Sequence, residues 1–277
     1  MTLRLGLIGD HIARSQSPRL HRLAGQQAGI EVRYDSLIPA DTGRDFDAVF
    51  ARCAQGGFRG VNVTYPYKER AAGLVRIPDM RVRAIGAVNT VIFGAGGAEG
   101  HNTDYTGFMA AYARIRGAAQ PGPTLVIGAG GVGRAICYAL VELGLRDLRL
   151  ADRDPGKAEH LAGGLRAAAP GLSVTCGADA GRLAVGARGL VNCTPVGMDG
   201  HDGTPLPRAA MDDPDWAFDA VYTPADTRFL SEAEAAGAQP VSGWELFFYQ
   251  GLHAWARFAG LPLDETRLRQ DLIGAPS

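Results

Sequence analysis

Along this chain short apolar runs alternate with helix-length amphipathic segments, and the rhythm changes near residue 120. In the first part, residues 3–9 form an apolar run that predicts a strand. Residues 18–29 predict a helix with Ser17 as its N-cap and Pro18 in the first turn, where proline's fixed φ suits a helix start. Val61 and Val63 alternate with Asn62 and Thr64, as on a strand with one polar face. Residues 88–93 predict another strand, the glycine-rich stretch 94–100 a turn, and residues 104–116 a helix. The Gly/Pro punctuation of 117–123 then reads as a linker.

From Thr124 the order becomes a regular β-α-β series. Strands are expected at 124–127, 148–151, 173–176, 189–192 and 216–221, with helices at 132–143 and 155–168. Apolar strands separated by helices of this length predict a parallel sheet covered on both faces. Two closing helices, 244–259 and 264–272, form a tail too long for a cap alone, and are expected to return to the first part of the chain.

One segment of this series carries chemistry. Gly128-Ala129-Gly130-Gly131-Val132-Gly133 fits G-x-G-x-x-G, follows an expected strand and opens an expected helix. The three glycines have separate tasks: Gly128 makes the tight turn, Gly130 lets a pyrophosphate approach the backbone, and Gly133 lets helix and strand pack closely. Unpaired N–H groups and the positive dipole end of the helix then face the phosphates. The acid expected about 20 residues further on is Asp152, placed to bond the ribose hydroxyls. Asp152 favours NAD, because it repels a 2′-phosphate. Arg153 and Lys157 favour NADP, because both can grip that phosphate. Asp154 adds negative charge, and the balance leans to NAD with NADP possible. Nothing in the sequence marks a second nucleotide pocket of the kind FAD uses.

The fold class is thus α/β. An N-terminal α/β substrate-binding and catalytic domain is expected at residues 1–105 with 240–277, and a Rossmann-type parallel-sheet domain at 106–239. A length of 277 residues suits two domains, each able to bury a core without disulfides or metals. Hydrophobic content of 46% and charged content of 21% exclude a disordered chain. A net charge of -1 gives no electrostatic reason to expect nucleic acid or an anionic membrane as partner. The early apolar run is interrupted by Arg4 and too short for a secretory core or a membrane span, so a cytoplasmic protein is expected. Cys53, Cys137, Cys176 and Cys193 have no metal-ligand spacing, and no metal site is expected. Of 28 basic residues only Lys68 and Lys157 are lysine. Where arginine is so strongly preferred, a retained lysine hints at a site needing a cation that can release its proton.

Four segments of the first part now align in order: Ser15-Gln16-Ser17-Pro18, Gly60-Val61-Asn62-Val63-Thr64-Tyr65-Pro66-Tyr67-Lys68, Gly86-Ala87-Val88-Asn89-Thr90 and Gly100-His101-Asn102-Thr103-Asp104. With the dinucleotide motif, Asn192-Cys193-Thr194-Pro195-Val196-Gly197-Met198, Asp219-Ala220-Val221-Tyr222-Thr223-Pro224 and Gln250, they resemble the shikimate/quinate dehydrogenase family nearly end to end. The resemblance implies reversible oxidation of the C3 hydroxyl of shikimate or a close relative, with hydride passing to a nicotinamide. It implies Lys68 and Asp104 as the catalytic pair. A lysine near a carboxylate can polarise the hydroxyl oxygen and exchange its proton, whereas arginine could stabilise charge but rarely yield a proton. By the same resemblance Ser15 and Ser17 bind the substrate carboxylate, and Thr64, Asn89, Asp104 and Gln250 bond the ring hydroxyls. Such neutral polar groups reject analogues that lack a hydroxyl. Tyr222 is placed at the pocket's edge, and Thr194, Ala220 and Gly243 join the cofactor side.

The chain departs from the family where Asp152-Arg153-Asp154 replaces the Asn-Arg-Thr of NADP-linked members, and where Glu245-Leu246-Phe247-Phe248 precedes Gln250. The first departure points to NAD. Serines at 15 and 17, rather than a serine and a threonine, argue mildly for shikimate over quinate. The partner is a small molecule, shikimate or quinate, and the chain a monomer or homodimer. A quinate or aminoshikimate dehydrogenase is the sibling reading. A non-catalytic metabolite sensor is the reading from another class, and the retained Lys68 and Asp104 argue against it. His11, His21 and His101 read as surface or turn histidines.

Overall fold

In the computed structural model residues 2–274 are described. Met1 and residues 275–277, at the two ends of the expected first domain, lie outside the described residues. The chain divides into two compact units, one running up to Thr103 and resuming at Phe248, the other Asp104–Phe247.

The first unit is built from β1 (Thr2–Ile8), α1 (Ser17–Ala28), β2 (Glu31–Leu37), α2 (Phe46–Gln55), β3 (Gly60–Val63), α3 (Lys68–Ala72), α4 (Met80–Ile85), β4 (Thr90–Gly94) and β5 (Gly97–His101). Its sheet has the order β2-β1-β3-β4-β5; β1 runs parallel to β2 and β3, and β4 and β5 continue antiparallel. The two-residue period of the strands sorts the core. Val61, Val63 and Val91 point to the face covered by Phe46, Val49 and Phe50 of α2. Leu5 and Leu7 point to the other, where Ala254 and Phe258 from the end of the chain cover them.

The second unit takes α5 (Thr103–Arg116) from its second residue onward, then β6 (Thr124–Ile127), α6 (Gly131–Glu142), β7 (Asp147–Ala151), α7 (Pro155–Ala168), β8 (Ser173–Gly177), α8 (Ala180–Ala184), β9 (Gly189–Asn192), β10 (Trp216–Asp219), α9 (Arg228–Glu234) and β11 (Gln239–Val241). Its six strands are all parallel, in the order β11-β10-β9-β6-β7-β8. Every residue of β6, β9 and β10 is buried, as both-face coverage requires. The strand order reverses between β6 and β9, and in such sheets the crevice outside the strands' carboxyl ends at that point receives ligands. The chain closes with α10 (Gly243–Ala259) and α11 (Glu265–Gly274).

Several expectations need correction. The boundary at residue 240 falls inside β11, which pairs with β10 from Trp216↔Gln239 onward, so the start of α10 still groups with the second unit. Residues 97–100, read as part of a turn, belong to the edge strand β5, because a glycine-rich hairpin needs only Gly94–Gly97 to reverse. Ser17 is the first helical residue and Gln16 occupies the cap position. Asn62 does not belong to a solvated face; it is 6% exposed and bonded on both sides. His21 and His101 are buried rather than at the surface, and of the three histidines read so only His11 is exposed.

Candidate active site

In the first unit Thr64, Lys68 and Asn89 stand where β3 ends and β4 begins, beside the end of β1. The Thr64 amide donates to Ile8 O at 2.9 Å, and Val63 N–H to Asn89 O at 2.8 Å, so the ends of three strands are locked together. The chain then turns through a cis Tyr65–Pro66 bond into α3, whose first residue is Lys68. Lys68 is buried, and its carbonyl accepts from Val88 N–H at 2.9 Å. Gly9 is needed here: a Cβ at that position would stand 2.3 Å from a Thr64 methyl.

Asn89 is buried, and its Oδ1 accepts from Thr103 N–H at 2.7 Å and from the hydroxyls of Thr103 and Thr90 at 3.1 Å each. With Oδ1 saturated, the Nδ2 donors of Asn89 have no protein partner among the described residues. That suits a group meant for a ligand oxygen. Thr90 is held in turn by Asn62, whose Nδ2 donates at 3.1 Å and whose Oδ1 accepts from the Tyr34 hydroxyl at 2.9 Å. His21 stacks on Tyr34 with ring centroids 5.1 Å apart, and burial pushes its pKa down to about 3, offset in part by its bond to Asn62. Asn62, Thr90 and Thr103 were not singled out from the sequence. Polar residues in a run of otherwise buried β positions were the signal that could have found them.

Ser15 lies in the loop before α1, and its Oγ accepts from Ser17 N–H at 3.3 Å. One serine thus caps the other's amide at the helix entry, and Ser17 itself is buried. Gln250 is half-buried on α10. Beside the site, the Tyr67 hydroxyl donates to Asp10 Oδ1 at 2.6 Å, and this bond, then burial, pushes the phenol up to about 12. Asp104 is buried at the second position of α5, directly after Thr103, and groups with the second unit. Tyr222 also lies in the second unit, stacked on Phe247 at 4.9 Å.

The second unit's glycine turn meets each geometric demand of a dinucleotide site. Gly128 has φ 104°, and its amide donates to Ala151 O at 2.8 Å. A Cβ on Gly133 would lie 1.9 Å from Gly128 O, whereas a Cβ on Gly130 would meet nothing within 4 Å. The absent side chain at Gly130 therefore keeps space open rather than relieving a protein contact. Gly130 caps α6 without a side-chain hydrogen bond, so the helix start with Gly131 and Val132 keeps donors for an anion. Asp152 stands just after β7, its Oδ2 accepting from Ala129 N–H at 2.7 Å and its Oδ1 from Asp154 N–H at 2.8 Å. Asp154 is the N-cap of α7, accepting from Gly156 and Lys157 amides. The side chains of Arg153 and Lys157 are exposed and have no partner among the described residues. These features fit a nicotinamide dinucleotide.

A buried carboxylate organises the other side of this crevice. Asp219 is fully buried, accepting from Asn192 Nδ2 and Val221 N–H at 2.9 Å each and from the Thr227 hydroxyl at 2.6 Å. Burial pushes its pKa up to about 6, opposed by those hydrogen bonds. Asn192 Oδ1 accepts the Thr194 amide at 2.9 Å and hydroxyl at 2.7 Å, and Ala220 N–H donates to Asn192 O at 2.8 Å. The loops after β9 and β10, which carry Thr194 and Ala220, are thereby tied together. Gly243 is buried against them, where a Cβ would lie 2.3 Å from Val221 O. The sequence reading named Thr194, Ala220 and Gly243 for the cofactor side and did not foresee the Asn192–Asp219–Thr227 bonds beneath them.

Residues 7–91 match the family model described as the shikimate dehydrogenase substrate binding domain. A quinate/shikimate dehydrogenase (NAD(+)) of Corynebacterium efficiens is 35% identical over 98% of this chain and 98% of its own length. A quinate dehydrogenase from Corynebacterium glutamicum, solved in complex with NAD, superposes with TM-score 0.89 at 31% identity over 99% of both chains. A shikimate 5-dehydrogenase from Thermus thermophilus, solved in complex with NADP(H) and shikimate, does so with TM-score 0.84 at 35% identity over 98% of each chain.

Proposed function

As the chain belongs to the shikimate/quinate dehydrogenase family, we propose that it interconverts shikimate and its 3-keto form, with Lys68 and Asp104 as catalytic pair and NAD as preferred cofactor. The chain is a nicotinamide-dependent oxidoreductase of α/β fold. The observation that carries its dinucleotide chemistry is the pairing of an open Gly130 with an uncapped α6 at the reversal of strand order.

In this reading Lys68 holds the C3 oxygen and exchanges its proton, and Asp104 orients that oxygen and the ammonium group. Asn89 offers its unengaged Nδ2 donors to a ring hydroxyl, with Thr64 and Gln250 completing the set. Ser15 and Ser17 bind the carboxylate at the start of α1. Tyr222 bounds the substrate. When bound, the nicotinamide supplies the hydride acceptor. Gly128 to Gly133 cradle the pyrophosphate, and Thr194, Ala220 and Gly243 lie along the nicotinamide half. Asp152 is the basis for NAD: its carboxylate is fixed by two amides in place for ribose hydroxyls, and a 2′-phosphate there meets a negative charge. No described helix is long and apolar enough to cross a membrane; we place the protein in the cytoplasm, as a monomer or homodimer.

Initial rates with shikimate and quinate, each with NAD and NADP, on wild type and Lys68→Ala, test the reading. Shikimate with NAD is expected to be fastest, and Lys68→Ala to abolish turnover while cofactor binding persists. Absence of turnover in all four combinations would sink it. Faster oxidation of quinate would retain the mechanism and replace the substrate.

A further inference from the structure

The first unit holds a cavity of about 460 Å³ outside the site above, lined by Arg59, Arg76, Arg257, Glu99 and His101 together with the β4–β5 hairpin. Its location follows from strand register. Asn62 pairs with Thr90 and Gly60 with Ile92, so the hairpin at Gly94–Gly97 extends past the start of β3. Thr64 and Lys68 leave β3 at its opposite end. Ile92 and Glu99 face the cavity on the sheet side, and Arg257 comes from α10.

Charge is unbalanced here. Arg76 pairs with Glu99, whose other oxygen lies 3.2 Å from His101 Nε2, so the single carboxylate of the lining is already shared. Arg59 is held in place by carbonyls, its Nε donating to Phe258 O at 3.0 Å and Nη1 to Phe93 O at 3.3 Å. Arg257 is exposed and has no hydrogen bond or ion pair among the described residues. Elsewhere in the chain exposed arginines such as Arg70, Arg81 and Arg188 have carboxylate partners. Three permanent cations therefore face one carboxylate, and each keeps guanidinium donors unspent, Arg257 all of them. His101 reports the same field: burial first, then Arg257, lowers its pKa, with Arg76 adding to the effect and Glu99 and Asp79 opposing it.

We propose that this cavity is a binding site for the phosphate group of a small phosphate monoester. The dianion is gripped between Arg257 and the free edge of Arg76, and the carbon body lies over Ile92 and the glycine hairpin. Guanidinium forks match phosphate oxygens bidentately, and a dianion balances the excess charge where a monocarboxylate would leave half of it. The hairpin suits close approach, since Gly94, Gly96 and Gly97 each have open space where a side chain would stand. The cavity's size is in the range of sites for small metabolites.

The test is calorimetric titration of the full-length chain, first saturated with NAD so that the dinucleotide site is filled. The probes are glycerol 3-phosphate, inorganic phosphate and succinate, with wild type, Arg257→Gln and Arg257→Lys. The expected result is saturable binding of one equivalent of glycerol 3-phosphate, weakened about tenfold or more by Arg257→Gln and partly restored by Arg257→Lys. His101 imidazole resonances are expected to titrate at higher pH with the probe bound, a readout that needs no variant. Tighter binding of inorganic phosphate than of glycerol 3-phosphate would assign the site to the free ion and overturn the monoester. Equal binding of succinate would overturn phosphate recognition. Absence of saturable binding, or binding indifferent to Arg257→Gln with His101 unmoved, would overturn the site.

Discussion

Asp152 Oδ2 accepts the amide of Ala129 at 2.7 Å, so the acid after β7 is bonded to the glycine turn after β6 before any ligand arrives. On the proposed function one carboxylate serves two ends: it shapes the turn, and it is expected to set which ribose is admitted. Asp152→Ala is expected to raise the KM for NAD about tenfold and to lower that for NADP, since Arg153 and Lys157 remain to meet a 2′-phosphate. Steady-state KM values for both cofactors check this. Unchanged selectivity would assign Asp152 to turn geometry alone.

Two glycines of the same motif are expected to fail differently. Gly133→Ala forces a Cβ to within 1.9 Å of Gly128 O and should lower stability by roughly 1–3 kcal/mol or more. Gly130→Ala meets nothing within 4 Å and should leave the melting temperature nearly unchanged while cofactor affinity collapses. Thermal melts paired with NAD titrations separate the two. Similar melting losses in both would contradict the open space at Gly130.

Asp219 gives a pH prediction with a definite sign. Its folded pKa of about 6 lies above the unfolded value, so the folded state binds the extra proton. Its contribution is full below about pH 4 and is lost as pH rises through about 6, a difference of roughly 3 kcal/mol for so large a shift. Asp219→Asn removes that titration. The gap between variant and wild-type denaturant stability should therefore move in the variant's favour between pH 4 and 7. A gap that stays constant would mean the carboxyl titrates normally.

Asn89→Ala should act on substrate and fold together. It removes the acceptor of Thr103 N–H, a buried donor, at a cost of about 1–3 kcal/mol. On the proposed function it is also expected to raise the KM for shikimate. Asn62→Ala, one bond further back, should lower stability through Thr90 and Tyr34 and change KM less. Urea denaturation with initial rates on both variants checks the ordering.

Much of the second unit was legible because its signals are local. The glycines, the following acid and the β-α rhythm each lie within about 25 residues, and strands such as β6 and β9 are short, mainly apolar runs buried along their whole length. The first unit was harder. β2 alternates Val32 and Tyr34 with Glu31, Arg33 and Asp35, a strand signal the sequence reading passed over, whereas β5 is glycine-rich and shows no such alternation. The polar bonds that place the site residues were illegible for another reason. Tyr34 to Asn62, Asn89 to Thr103 and Asn192 to Asp219 span 14 to 28 positions, and only the folded register brings their partners together.

The interruption of the first unit between Thr103 and Phe248 has a consequence for biosynthesis. The second unit is continuous and leaves the ribosome complete, whereas the first must wait for the last thirty or so residues before Ala254 and Phe258 cover Leu5 and Leu7. Arg59 reaches its carbonyl partner on Phe258 across 199 positions, a closure that no nascent chain ending earlier can make. A chain stalled before Phe248 thus carries a finished nucleotide-binding body and an uncovered sheet face, and it is this half-built species that chaperones and proteases would meet first.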